Sequence, residues 1–164
     1  MAVDYFIKID QIDGESEDAK HSKQIQVLSF SWGATQPGTF GNGTGGTAGK
    51  PSFSDFSFTM QTCKATTALM QACSTGKHIA SAILTCAKTT GDGDPQDYMT
   101  WTLKPVIVSS YHTGGSSGAE IPVDSVSLNY GTVKIEYSTQ TDTSGALQNA
   151  GTFGHDLTKN QKMA

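Results

Sequence analysis

The sequence has no apolar run long enough to cross a membrane as a helix, no cluster of Lys or Arg, and no Cys or His spacing suited to a metal. The first absence excludes helical membrane insertion. The second, with a net charge of −4 and a pI of about 5.4, argues against nucleic acid as a main partner. Cysteine is scarce and odd in number: Cys63, Cys73 and Cys86 read as reduced thiols, buried or half-buried, in a protein that folds in the cytoplasm. The N-terminal MAVDYFIKID has no basic region, apolar stretch or cleavage site, so no signal peptide is expected. If the protein leaves the cell, a dedicated machine must export it already folded. Helix-forming sequence is also sparse, and the 164 residues suffice for one domain with a core that needs no metal or disulfide.

What is present is Gly, Ser, Thr and short runs of period two. Gln24 to Gly33, QIQVLSFSWG, organises the rest. Ile25 and Val27 alternate, then Leu28, Phe30 and Trp32, with a phase slip between Val27 and Leu28. Either a β-bulge keeps all five on one core face, or the strand is covered on both faces, by a core on one side and another chain on the other. Ser29, Ser31 and Gly33 then back Phe30 and Trp32, a small polar face behind a heavily apolar one. Val3 to Ile9 reads as a first strand and Asp10 to Lys23 as a solvated acidic loop holding a surface His21. The Gly- and Pro-rich residues 35–51 read as a long flexible loop. Strands follow over Ser52 to Met60, Ile79 to Ala87, Asp97 to Ser109 and Ile121 to Tyr137. Pro105 places its strand at an edge or at a bulge, and Gly131 marks a phase slip that a glycine bulge would explain. The one helix is expected over about 65–75, with Thr66 as N-cap and Gly76 at the left-handed C′ position. Residues 138–164 read as a linker-like, extended tail anchored by Phe153 and Leu157. The fold expected is mainly antiparallel β, a compact barrel or sandwich with one short helix.

Several catalytic patterns fail on context. Gly114-Gly115-Ser116-Ser117-Gly118 matches a nucleophile elbow, but a strand follows it instead of a helix. Gly43-Thr44-Gly45-Gly46-Thr47-Ala48 lacks the βαβ unit of a dinucleotide site, and Gly49-Lys50 is followed by Pro51 where a phosphate loop has Ser or Thr. Asp92, Asp94 and Asp97 lead to Leu103 where an EF-hand needs Glu. Asn42-Gly43-Thr44 is a glycosylation sequon only in form. The histidines His21, His78, His112 and His155 are scattered. No constellation for catalysis, cofactor or metal emerges.

Ser31-Trp32-Gly33, followed by a glycine-rich loop, then Leu69-Met70, Ala72-Cys73-Ser74 and Gly76-Lys77-His78, resembles the hemolysin-coregulated protein (Hcp) family of bacterial type VI secretion. The resemblance runs from Met1 to about Tyr137 and resumes at Gly154, where Gly154-His155-Asp156 stands in place of the family's usual Gly-Trp-Asp/Asn. It implies a β-barrel-like, phage-tail-tube-like protomer of 1–164 that closes into homohexameric rings. The rings stack into a tube inside a contractile sheath, are capped by a VgrG-type spike, and are fired from the cytoplasm to the outside, with small effector proteins in the lumen. On that reading Ser29 and Ser31 line the lumen and touch cargo. Thr39, Phe40, Gly41, Asn42, Gly43, Thr44, Gly45 and Gly46 form a loop that reaches the next ring. No enzyme activity, cofactor, nucleic acid or membrane insertion is expected. The rival readings are a stand-alone β-sandwich binding module and a small hydrolase built on Ser116.

Overall fold

The computed structural model describes residues 3–41, 43, 45–89, 93–140 and 146–163. Asn42, Thr44 and Asp92, singled out above, lie outside them. Strands β1 (Val3–Ile9), β2 (Ile25–Val27), β3 (Ser29–Ser31), β6 (Phe56–Gln61), β7 (Ala82–Thr89), β8 (Pro95–Gly114), β9 (Val123–Gln140), β10 (Leu147–Asp156) and β11 (Gln161–Lys162) form one antiparallel sheet. A small ladder of β4 (Ala34–Thr35) and β5 (Ser52–Phe53) stands apart. The hydrogen-bonded order β11-β10-β9-β8-β7-β1-β2 doubles over so that β6 lies on the other side of the first part of β9 and carries β3. Pairing is not continuous between β2 and β3, so the sheet is sandwich-like and not a closed barrel. Ile7, Ile25, Phe56, Phe58, Met60, Leu84, Leu103, Val126 and Leu128 fill the space between its halves.

The organising stretch does not keep its five large residues on one core face by a bulge. β2 pairs with β1 and β3 with β6, and the chain turns between them at Leu28, whose N–H donates to the Thr59 carbonyl at 2.8 Å. Ile25 and Val27 are buried, Phe30 and Trp32 pack against the core, and Leu28 points out, 50% exposed. Two halves of one run serve two partners, and the phase slip is the step from one to the other.

Gly131 marks a real change of face without a bulge. β8 buries Trp101 and Leu103, then Val106 and Val108, while β9 buries Val133, then Tyr130 and Leu128. Both strands slip together, because the register Leu103↔Val133, Lys104↔Thr132 and Val106↔Tyr130 is unbroken. A Cβ on Gly131 would sit 2.9 Å from Pro105 Cδ, so the two residues form one bend. Pro105 is thus not bulged, and it stands where β8 loses its β7 partner and begins to run as an edge. It falls just past the end of the β7 ladder, whose last pair is Ala82↔Leu103, and the bulge of β8 lies at Ser109 instead.

Helix α1 (Thr66–Thr75) lies against β8, buries Leu69 and Ala72, and ends at Gly76 in the left-handed conformation (φ 64°). Thr66 is not its N-cap: Ala65 holds that place without a side-chain cap. The Thr66 hydroxyl accepts from the Cys63 N–H at 3.0 Å and donates to Asp124 at 2.8 Å. His21 is not a surface residue either. It is 5% exposed, stacks on Phe6 with ring centroids 4.6 Å apart, and its Nε2 lies 2.9 Å from Asp97. The acidic loop is therefore held down on the outer face of β1, which explains why Phe6 is buried opposite Ile7. The tail residues 147–156 are a ladder strand: Leu147 to Asp156 pair with β9 from Gln140 to Thr132. Polar composition hid that strand because one backbone edge and most of its side chains stay exposed.

Candidate functional site: a hydroxyl-lined sheet face

Three strands carry the same triplet, hydroxyl–apolar–hydroxyl: Ser29-Phe30-Ser31 in β3, Ser57-Phe58-Thr59 in β6 and Ser125-Val126-Ser127 in β9. Alternation sends Phe58 and Val126 into the core, packs Phe30 against it, and turns the hydroxyls outward. The registers then align them. Ser31 pairs with Ser57, Ser57 with Ser127 and Ser127 with Ser110 of β8; in the next row Ser29 pairs with Thr59, Thr59 with Ser125 and Ser125 with His112. The bulge of β8 at Ser109 is what brings Ser110 and His112 onto this face.

The result is two rows across four strands, flat and almost uniformly hydroxylic, around a shallow concavity of about 230 Å³. Ser29 Oγ and Thr59 Oγ1 are 2.6 Å apart, and Ser57 Oγ and Ser127 Oγ 2.9 Å. At the end toward β4 and β5 the rim is Asp55, which accepts from Ser109 Oγ at 2.7 Å and Asn129 Nδ2 at 3.0 Å. Ser29 and Ser31 are both exposed on this face. The sequence named those two for this face and did not name Ser57, Thr59, Ser110, Ser125, Ser127 or His112, which the pairing puts beside them. The repeated triplet was a legible signal; the pairing that merges the copies into one surface was not.

Behind the face lies a buried carboxylate. Asp124 is fully buried and accepts from four hydroxyls: Thr62 at 3.1 Å, Thr66 at 2.8 Å, Thr113 at 2.6 Å and Tyr111. Burial works to raise its pKa, but the four donors outweigh it and hold the carboxyl below the usual carboxylate range. Burial, and then the bond to Asp124, push the Tyr111 phenol up. The cluster ties helix α1 to β8 and β9. Ser116 lies in the exposed turn between β8 and β9, its carbonyl accepting from the Ala119 N–H at 3.1 Å, so no helix stands behind it. Among the described residues no group of His, Cys, Asp and Glu is placed to hold a metal ion, and no helix is long and apolar enough to cross a membrane.

The loop expected to reach a neighbouring ring is an arm whose two sides pair. Ala34↔Phe53 and Thr35↔Ser52 form its base, Gly38 bridges Ala48, and the Gly49 N–H donates to the Pro37 carbonyl at 3.1 Å. Thr39, Phe40, Gly41, Gly43, Gly45 and Gly46 lie along its exposed outer part. Trp32 anchors the base, stacked on Phe53 at 5.6 Å and hydrogen-bonded to the Tyr130 hydroxyl.

A family model described as "Type VI secretion system effector, Hcp" matches residues 6–137. Protein hcp1 of Pseudomonas aeruginosa is 46% identical over 140 residues, which span 85% of this chain and 86% of that protein. A solved structure of a type six secretion system protein matches with a TM-score of 0.91 at 33% identity, covering 99% of this chain and 100% of that one. Hcp1 from Salmonella typhimurium matches with a TM-score of 0.78 at 35% identity, covering 99% and 100% of the two chains. The chain belongs to the Hcp family of type VI secretion, secreted tube proteins that are not enzymes.

Proposed function

We propose that the protein assembles into hexameric rings with the hydroxyl face turned into the lumen, that the rings stack into a tube, and that small effector proteins ride inside. The observation that carries this reading is the face itself. Seven hydroxyls, from Ser29, Ser31, Ser57, Thr59, Ser110, Ser125 and Ser127, cover four adjacent strands with no exposed apolar side chain between them. Such a wall holds a passing protein by many weak, interchangeable hydrogen bonds and gives it no single deep pocket in which to lodge. Ser29 and Ser31 are the cargo contacts on β3.

Two open edges flank this face. β3 pairs only with β6, and residues 107–114 of β8 pair only with β9. An unpaired edge is a template for another chain. A contact between unlike edges is heterologous, and it ends in a ring when the rotation closes. The arm at residues 34–53 then reaches the adjoining ring, a VgrG-type spike caps the tube, and a contractile sheath drives it from the cytoplasm to the outside.

Particle mass by light scattering, with negative-stain images of the same sample, tests the reading: a hexamer with an open centre is expected, and a compact monomer would return the protein to a stand-alone binding module. Ser31→Gln should leave rings intact and lower the stability of bound effector. Loss of rings in that variant would put Ser31 in an interface instead.

A further inference from the structure

Phe40 is 88% exposed at the outer part of the arm, far more than any other large apolar side chain among the described residues. Its ring lies over Gly46, where an added Cβ would stand 2.1 Å from Phe40 Cδ1. Gly46 is therefore the bare platform that props the ring outward, and the hydroxyl of Thr39, 2.7 Å from that of Thr47, locks the arm beside it. An aromatic ring presented this way has nowhere to be buried in its own chain, which is the mark of a docking knob.

The opposite end of the same strands holds a matching recess. β6 leaves the arm at Phe56 and ends at Gln61, where Leu28, Gln61, Thr62, Cys63, Ile121 and Glu15 line a pocket of about 240 Å³. Its apolar walls are open to solvent, Leu28 at 50% and Ile121 at 42%. Knob and recess thus sit at opposite ends of one copy, as head-to-tail stacking requires. Charge agrees: the only charged residue among 36–50 is Lys50, and the only one lining the recess is Glu15.

We infer that Phe40 of one copy seats between Leu28 and Ile121 of a second copy in the adjoining ring, so that this contact sets the stacking of rings. The inference rests on the ring-and-tube reading above. It makes stacking heterologous and polar, with all rings facing one way, and it makes one apolar residue on a polar arm the main source of its strength.

The recess contains its own reporter, the free thiol of Cys63. Tubes of the Phe40→Cys protein, assembled above the raised concentration that this substitution demands, treated with a short bis-maleimide and then denatured, should give a ladder of covalent multimers. The ladder should vanish when Cys63→Ser is added and in rings kept unstacked. In parallel, Phe40→Ser should raise the protein concentration needed for stacking about tenfold or more with ring mass unchanged, and Phe40→Leu should recover most of the loss. A ladder of equal strength in unstacked rings would mean that a neighbour within the ring fills the recess, and would overturn the inference. Adducts that depend on Cys73, or tubes without adducts and with normal stacking by Phe40→Ser, would overturn it too. Wild-type protein that forms rings but never tubes overturns the stacking reading together with this inference, whereas tubes that ignore both substitutions overturn this inference alone.

Discussion

Asp124 takes hydroxyl hydrogen bonds from Thr62, at the end of β6, from Thr66 in the first turn of α1, and from Tyr111 and Thr113 in β8. A buried charge is tolerated there because every donor points at it, which is why the carboxyl titrates low in spite of burial. Asp124→Asn replaces one carboxylate oxygen by an amide nitrogen, so two of the four hydroxyls lose the acceptor they donate to and the other two lose the charge on theirs. We expect a loss of about 3 kcal/mol and a fall in Tm on the order of 10 °C, read by calorimetry. The pH dependence follows from the direction of the shift. A carboxyl held low when folded contributes stability that is complete above its ordinary value near ~4 and is lost as pH falls toward the folded value. Wild-type Tm should therefore drop more steeply below about pH 4 than that of Asp124→Asn. Equal slopes would show that some other carboxylate governs acid unfolding. Neither Asp124 nor His21 was legible in sequence as a buried group. Thr66 lies 58 residues from Asp124 and Asp97 lies 76 from His21, and even Tyr111 and Thr113, 13 and 11 residues before Asp124, meet it only through the β8–β9 register.

Among the elements, the paired strands β8 and β9 do most to shape the molecule. At Pro105 and Gly131 both change the face they bury, so their first and second parts serve different halves of the core. Gly131 is required by closeness, since a Cβ would stand 2.9 Å from Pro105 Cδ and 3.3 Å from the Lys104 carbonyl. A proline ring and a paired backbone have little freedom to yield. Gly131→Ala should cost about 1–3 kcal/mol in urea unfolding with an unchanged m-value. A neutral result would mean that the bend moves without strain. The phase slip at Gly131 could be read from alternation alone and suggested a glycine bulge, while Pro105 by its missing N–H suggested an edge or a bulge. Only their register, with Lys104 beside Thr132, shows a single shared bend. The tail erred in the opposite direction: Gly, Asn and Thr conceal a strand because it is stabilised by the backbone ladder of β9 and not by burial of its own side chains.

Across the whole molecule, Trp32 joins parts that the chain keeps apart. Its ring meets Phe53 of β5 at 5.6 Å, Trp101 of β8 at 5.4 Å and Phe153 of β10 at 6.2 Å. Its indole N–H donates to the Tyr130 hydroxyl, which in turn donates to the Ser54 carbonyl at 2.8 Å. The base of the arm, the central strands and the tail strand therefore share one aromatic joint. Trp32→Ala should cost about 3 kcal/mol, less than a fully buried tryptophan, from a total of about 5–15 kcal/mol. Lower soluble yield and loss of protection from proteolysis at both the arm and residues 147–156 are the expected readouts. A variant that melts normally but is cut in the arm would confine the role of Trp32 to the arm.

The sequence alone determined the class of fold, the place of the helix and its left-handed stop at Gly76, and the family, because period-two alternation, turn residues and short motifs are local and survive without neighbours. It also determined that Ser29 and Ser31 look away from the core. Tertiary structure decided the rest. Pairing of β3, β6, β9 and β8 turned scattered triplets into one hydroxyl wall, the turn at Leu28 divided one run between two partners, and the fold set Phe40 and the Leu28–Ile121 recess at opposite ends of the same strands. Which side chains share a surface depends on register between distant strands, and register is settled by burial of the whole core at once.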